Sequence, residues 1–205
     1  MAEVCGFSQA SLAASPEQDI PFEVENAFHA FIQRRIKGEP VAYILGRKEF
    51  YGLDLSVNPS VLIPRPETEL LVDLALERKP ASMLDLGTGS GAIGIAVKFN
   101  LPGTRVVAVE ADMSALLSAK RNAARLNLDI DFRHGRWFEP VAGERFDLVV
   151  SNPPYVASAD PHLAELRFEP QGALVAGPEG LQTWVRRGVR RAGGYRFAAA
   201  ATARG

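Results

Sequence analysis

The tetrapeptide Asn152-Pro153-Pro154-Tyr155 puts a side-chain amide, two rigid imino acids and an aromatic ring into one short loop. That combination suits a planar nitrogen substrate. The nitrogen of an amide, or of an NH2 on an aromatic ring, is a poor nucleophile because its lone pair is delocalised, so a catalyst must hold it in line with an electrophile. The side-chain oxygen of Asn152 and the main-chain carbonyl of Pro153 can accept its two hydrogens, fixing its orientation and drawing electron density toward nitrogen. Consecutive prolines restrict φ and preorganise the carbonyls, while Tyr155 offers a flat face. Direct displacement at a methyl carbon then needs no strong base.

A second constellation lies upstream in Asp85-Leu86-Gly87-Thr88-Gly89-Ser90-Gly91. Glycines between a strand and a helix let the backbone turn tightly and approach a ligand without β-carbons in the way. Glu110 closes the next strand, where a carboxylate can accept hydrogen bonds from the two hydroxyls of a ribose. Glycines and acid together point to an adenosine cofactor. Both a dinucleotide and S-adenosyl-L-methionine fit. The Gly-x-Gly-x-Gly spacing differs from the dinucleotide pattern Gly-x-Gly-x-x-Gly, and Asp85 interrupts the apolar run usual in dinucleotide folds. These two features favour S-adenosyl-L-methionine.

Such loops need a sheet to carry them. Residues 82–86, 105–109, 130–134 and 146–151 are short apolar runs that predict strands buried on both faces, alternating with helices over 92–99 and 114–126. The expected class is α/β, a Rossmann-like, mostly parallel sheet with both loops at its carboxyl edge. Ahead of it, Val24, Phe28, Phe31, Ile32 and Ile36 recur at helical spacing before Gly38, which predicts an amphipathic helix. Leu53, Leu55 and Val57 alternate with Asp54 and Ser56, a strand over 50–57 expected to pair with 61–63 in a hairpin. A helix opens at Pro66, with Glu67 and Glu69 in its first turn and Arg78 and Lys79 at its end.

Composition narrows the function classes. A chain of 205 residues, 47% of them hydrophobic, can bury one full domain plus an accessory segment. Its net charge of -1 leaves no cationic excess with which to grip a nucleic-acid backbone. Cys5 has no second thiol to pair with, and His29, His134 and His162 fall on separate elements, so neither a disulfide nor a metal site is expected. Residues 1–15 lack the charge and apolar pattern of a signal peptide, and no apolar run approaches membrane-spanning length. A reducing, cytoplasmic setting follows.

With these residues in place, the sequence resembles the glutamine methyltransferases that modify peptide-chain release factors, the HemK or PrmC family. The resemblance runs from about Gly38 to Leu181. It is carried by Gly38-Glu39-Pro40-Val41-Ala42-Tyr43-Ile44-Leu45-Gly46, by Leu62-Ile63-Pro64-Arg65-Pro66-Glu67-Thr68-Glu69, by Asp85 to Ala92, by Asn152 to Tyr155 and by Phe168-Glu169-Pro170. The second and last strings are the most specific. The resemblance implies a class I S-adenosyl-L-methionine-dependent methyltransferase that modifies N5 of the glutamine in the Gly-Gly-Gln loop of release factors. Gly87, Thr88, Gly89, Ser90, Gly91 and Glu110 would hold the cofactor, Trp137 would pack near its adenine, and Asn152 would border both ligands. Asn152, Pro153, Pro154 and Tyr155 would hold the glutamine, with Asn152, Pro153 and Tyr155 as the catalytic set. The N-terminal helical segment would contact the protein substrate.

The chain departs from the family at three places. Arg136 stands before Trp137 where an acid is usual, and an arginine cannot accept a hydrogen bond from an adenine amino group. The N-terminal helical domain is shorter than usual. After Leu181 the chain has arginines but no Asp or Glu, which does not read as the remaining strands of a seven-stranded sheet. The expected division is a partial helical segment over 1–48, a hairpin and connecting helix over 49–80, a methyltransferase domain over 81–181 and an aberrant or truncated tail over 182–205. The alternatives are a ribosomal protein L3 glutamine methyltransferase, an adenine-N6 DNA methyltransferase and an inactive truncated fragment.

Overall fold

A computed structural model of the chain describes residue 6 and residues 9–14, 19–154, 156, 158, 160–175 and 196–199. Two compact units result, residues 1–46 and residues 47–205. The first holds α1 (Gln9–Ala14), α2 (Phe22–Ile36) and α3 (Val41–Leu45). Glu23 and Glu25 in the first turn of α2, and Arg34 and Arg35 in its last, complement the helix dipole. Its apolar stripe is only half-buried: no residue of α2 is fully enclosed, and Phe22 and Ile36 are each 71% exposed. Arg34 Nε and Nη2 fork onto the two carboxylate oxygens of Glu39 at 2.7 and 2.5 Å and fix the turn into α3. The same bonds hold the Glu39 carboxyl below its usual range.

In the second unit, β1 (Arg47–Phe50) pairs antiparallel with β2 (Leu53–Ser56), Phe50 opposite Leu53. Tyr51 and Gly52 connect them at φ of 51° and 75°, the positive pair that a type I′ connection requires. The expected partner for β2, residues 61–63, is therefore corrected to residues 47–50. Only Phe50 of β1 is buried, so this strand shows no apolar alternation by which to recognise it. Residues 61–63 instead belong to an extended strap that leads into a 3-10 turn, Pro66–Thr68, and α4 (Glu69–Arg78).

The remaining elements are β3 (Ser82–Leu86), α5 (Ala92–Asn100), β4 (Arg105–Glu110), α6 (Met113–Arg125), β5 (Asp131–His134), β6 (Leu148–Ser151), α7 (Gln171–Leu174) and β7 (Arg196–Ala199). The strands lie parallel in the order β5-β4-β3-β6-β7. The strand β7 falls within the stretch expected to be an aberrant or truncated tail and adds one parallel strand to the sheet. Its short alanine-rich sequence carries little β signal, and pairing along the edge of β6 places it.

Alternation along the central strands fills both faces. Met83, Val106, Leu148 and Val150 join one core with Phe50, Leu55, Leu71 and Ile95. Leu84, Leu86, Val107, Val109 and Val149 join the other with Val141 and Phe146. Both clusters exclude water, the main source of stability here.

Polar ties then set the register between layers. Asn122 of α6 is 1% exposed. Its Oδ1 accepts from Ser56 N at 2.8 Å, while Nδ2 donates to Ser56 O at 3.0 Å and Ser90 O at 2.9 Å. One carboxamide thus joins α6, the hairpin and the glycine loop. Asn122→Ala leaves buried backbone groups unpaired and is expected to lower unfolding free energy by about 2–4 kcal/mol. Asn122→Asp should not restore it, because a carboxylate cannot donate to two carbonyls. Urea denaturation of the three proteins measures both outcomes.

Candidate functional site

Where the chain reverses direction across the sheet, β3 lies between β4 and β6, and the loops after β3 and β6 border a crevice at the carboxyl ends of the strands. Open parallel sheets bind ligands at such switch points. A cleft of about 620 Å³ opens there, lined by Gly87, Thr88, Gly89 and Ser90 after β3, Glu110 at the end of β4, and Trp137 beyond β5. Asn152, Pro153 and Pro154 after β6 border the same space. Gly91 lies behind it at the start of α5, and Tyr155 falls outside the described residues.

The glycine loop is held from below and from the side. Gly87 N and Thr88 N both donate to Val109 O, at 2.9 and 3.1 Å. The glycines differ in duty. Gly89 has φ of +58° and open space where a β-carbon would stand, leaving its backbone free to face a ligand. Gly91 has φ of +86°, and a β-carbon there would lie 2.7 Å from Ile95 Cδ1, so this glycine serves close packing of α5. Glu110 braces the loop as well: Oε2 accepts from Gly89 N at 2.9 Å, and Oε1 accepts from Ala111 N and Asp112 N at 2.8 and 3.0 Å. A carboxylate offers about four lone-pair sites, so these three bonds leave capacity for a hydroxyl. The spare acceptor capacity therefore fits an adenosine ribose, although Glu110 also has a loop-holding role that its sequence position did not reveal.

Trp137 lies half-buried on the cleft wall with φ of +59°. That backbone is uncommon for a bulky residue and is favoured only where surrounding structure enforces it. Gly135 N bonds Glu110 O at 2.9 Å and His134 Nε2 lies 3.0 Å from Ala111 O, tying this turn to the end of β4. Arg136 lines the same wall.

Asn152 Nδ2 donates to Thr68 Oγ1 at 3.3 Å. Thr68 sits at the end of the 3-10 turn, and with Leu62 and Pro64 it forms a wall opposite the glycine loop. Behind that wall, Glu169 Oε2 accepts from Ile63 N at 3.1 Å and Oε1 from Arg65 Nη2 at 2.5 Å. Pro170 and Ala173 continue the lining. These wall residues had no site role in the sequence reading. The available signal was that a glutamate and an arginine stood in its two most specific strings, since a buried carboxylate requires a partner.

Asp85 is fully buried under the loop. Its Oδ2 accepts from Thr88 Oγ1 at 2.7 Å and Gly94 N at 3.1 Å, while Oδ1 has no partner among the described residues. Desolvation outweighs those two bonds, and with a smaller contribution from Glu110 it pushes the carboxyl from an ordinary 3.8 up to about 6. The folded protein then keeps a proton between about pH 4 and pH 6 that the unfolded chain releases. Stability from this group is complete below that window and is lost as pH rises through it, by about 3 kcal/mol for a shift of this size. Asp85→Asn should flatten the dependence, and denaturant titrations at pH 4, 5, 6 and 7 provide the comparison. An unchanged slope in the variant would assign the effect elsewhere.

Comparison with known proteins adds an independent line. Residues 66–168 match the Methyltransferase small domain and residues 1–46 the PrmC N-terminal domain. The chain is 46% identical over 177 residues to a release factor glutamine methyltransferase of Aliivibrio fischeri, covering 83% of this chain and 62% of that protein. It is 46% identical over 187 residues to the protein of that name from Pseudomonas aeruginosa, covering 88% of this chain and 68% of the relative. The chain thus spans less than two thirds of the length of some of the curated relatives it matches, such as the Aliivibrio fischeri protein. Among solved structures, the hMettl16 catalytic domain in complex with a MAT2A 3'UTR hairpin aligns with a TM-score of 0.59 at 18% identity, over 78% of this chain and 64% of that one. That likeness bears on the α/β methyltransferase fold. The sheet, the glycine loop and the identity across both units place the chain in the release factor glutamine methyltransferase family.

Proposed function

We propose that this chain transfers a methyl group from S-adenosyl-L-methionine to the side-chain amide nitrogen, N5, of the glutamine in the Gly-Gly-Gln loop of peptide chain release factors. The observation that carries the reading is the convergence of Asn152 and the glycine loop on one cleft. Family membership and the names of the relatives support it. Gly87, Thr88, Gly89, Ser90, Gly91, Glu110 and Trp137 are assigned to the cofactor, Asn152 to the boundary between the two ligands, and Pro153, Pro154 and Tyr155 to the glutamine. The partner is a protein, and the setting is the cytoplasm, where translation ends. No helix among the described residues is long and apolar enough to cross a membrane.

The bound cofactor supplies a methyl electrophile on a sulfonium. This chain's contribution is orientation. Asn152 Oδ1 and Pro153 O accept the two N5 hydrogens, which turns the nitrogen toward the methyl carbon and enriches it in electron density. Held by Gly87 to Gly91 and Glu110, the sulfonium would give up its methyl group to the nitrogen with the S–C electron pair staying on sulfur, and the nitrogen would shed one proton to solvent.

A labelled-methyl assay offering release factor, ribosomal protein L3 and duplex DNA side by side tests the substrate class. Label is expected in the release factor and at the glutamine; label in L3 or DNA instead would overturn the assignment. Asn152→Ala should lower the transfer rate on the order of a hundredfold while leaving cofactor affinity within a few-fold.

A further inference from the structure

Thr68 is a polar side chain with 5% exposure, enclosed between a helix start and the cleft. It caps nothing: no side-chain hydrogen bond closes the first turn of α4. Its hydroxyl oxygen instead meets Asn152 Nδ2 at 3.3 Å, across 84 residues of chain. The two ends of a carboxamide have nearly the same shape, so packing cannot decide which end faces the cleft. Hydrogen-bond partners decide it. With Nδ2 engaged by Thr68, Asn152 Oδ1 carries no hydrogen bond among the described residues and is left to accept one.

Thr68 is itself held. Its backbone N bonds Arg65 O at 3.0 Å, closing the turn. Arg65 is clasped by Glu169, which is 5% exposed and binds Ile63 N with its second oxygen. Tyr51 N donates to Glu69 Oε1 at 3.0 Å on the residue that follows Thr68. The turn is thus anchored on both sides, and the Thr68 hydroxyl it carries meets Asn152.

We propose that Thr68 is a positioning residue for methyl transfer. Its hydroxyl oxygen holds the amino end of the Asn152 carboxamide so that the oxygen end meets the substrate NH2, and the clasp of Glu169 on Arg65 and Ile63 keeps Thr68 in place. The inference rests on the reading of Asn152 as the grip on a glutamine amide. It also gives the two most specific strings of the sequence, residues 62–69 and 168–170, one shared purpose.

Two readouts on the full chain separate the inference from that reading. The first is the nitrogen-15 NMR signal of the Asn152 side-chain amide, assigned by its loss in Asn152→Ala. Thr68→Val removes the acceptor at constant shape and is expected to shift this signal and speed its proton exchange, whereas Thr68→Ser should leave it near wild type. The second is calorimetric binding of a Gly-Gly-Gln peptide to protein saturated with S-adenosylhomocysteine. Peptide affinity should fall about tenfold in Thr68→Val and recover in Thr68→Ser, with S-adenosylhomocysteine affinity unchanged in both. An amide signal and peptide affinity at wild-type values in Thr68→Val overturn the proposal. So does a loss of S-adenosylhomocysteine binding or of melting temperature as large as the loss of peptide binding, which marks a merely structural residue. If the amide signal responds as expected but the wild-type chain binds no peptide, the glutamine reading fails and the orientation of Asn152 by Thr68 stands.

Discussion

A buried carboxylate must be matched by donors or surrender its charge, and Asp85 stands at the point where this protein meets that requirement. Its Oδ2 binds Thr88 Oγ1 and Gly94 N, so one oxygen fixes both the middle of the glycine loop and the first turn of α5. Gly94 is suited to this approach: a β-carbon there would lie 3.2 Å from the same oxygen. The loop cannot move without unpairing an acid in the core. From it the other constraints follow in order. Val109 O takes Gly87 N and Thr88 N, Glu110 takes Gly89 N, and Asn122 takes Ser90 O.

Much of this frame was legible in the sequence because its central strands β3, β4 and β6 are buried on both faces; β5, expected to be buried likewise, lies at the sheet edge with no fully buried residue. Continuous apolar runs such as Val106-Val107-Ala108-Val109 declare a parallel strand without any partner being known. The hairpin was legible only by half. β2 alternates buried and exposed positions, whereas Arg47, Lys48 and Glu49 disguise β1, and the apolar residues 61–63 looked like the better partner. Their apolar side chains serve the strap instead: Val61 and Ile63 are buried, and Leu62 lines the cleft. For β7, an alanine-rich stretch carries no pattern that could announce it.

The candidate site divides along the same line. Local motifs show their residues: a glycine loop, an acid at a strand end and a tetrapeptide after a strand can each be found by reading a few positions. The wall opposite them cannot. Thr68 meets Asn152 across 84 residues and Arg65 meets Glu169 across 104, and no local period encodes such pairs. The sequence did mark these strings as specific beyond a helix start, but a local string does not say which distant residue it meets. Pro66 and the acids after it do open a helix. The arginine and the threonine in the same string answer to distant partners.

Why distant polar pairs should build this wall follows from what apolar contact lacks. Hydrophobic burial closes a cleft and supplies most of the free energy, but it has no preferred direction within a side chain's own shape. A carboxamide is shape-symmetric and chemically asymmetric, so a site that depends on its oxygen needs a partner that distinguishes oxygen from nitrogen. A hydroxyl that accepts, as Thr68 Oγ1 does from Asn152 Nδ2, marks the nitrogen end while its own proton is turned elsewhere, and its position is only as fixed as the turn that bears it. The ion pair beneath that turn contributes little over a well-packed apolar pair in stability, while loss of either partner would strand the other without a counter-charge. Its value lies in allowing one arrangement of the strap. The protein thus uses apolar layers to fold and directional pairs, anchored far apart in the chain, to aim the groups that face the cleft.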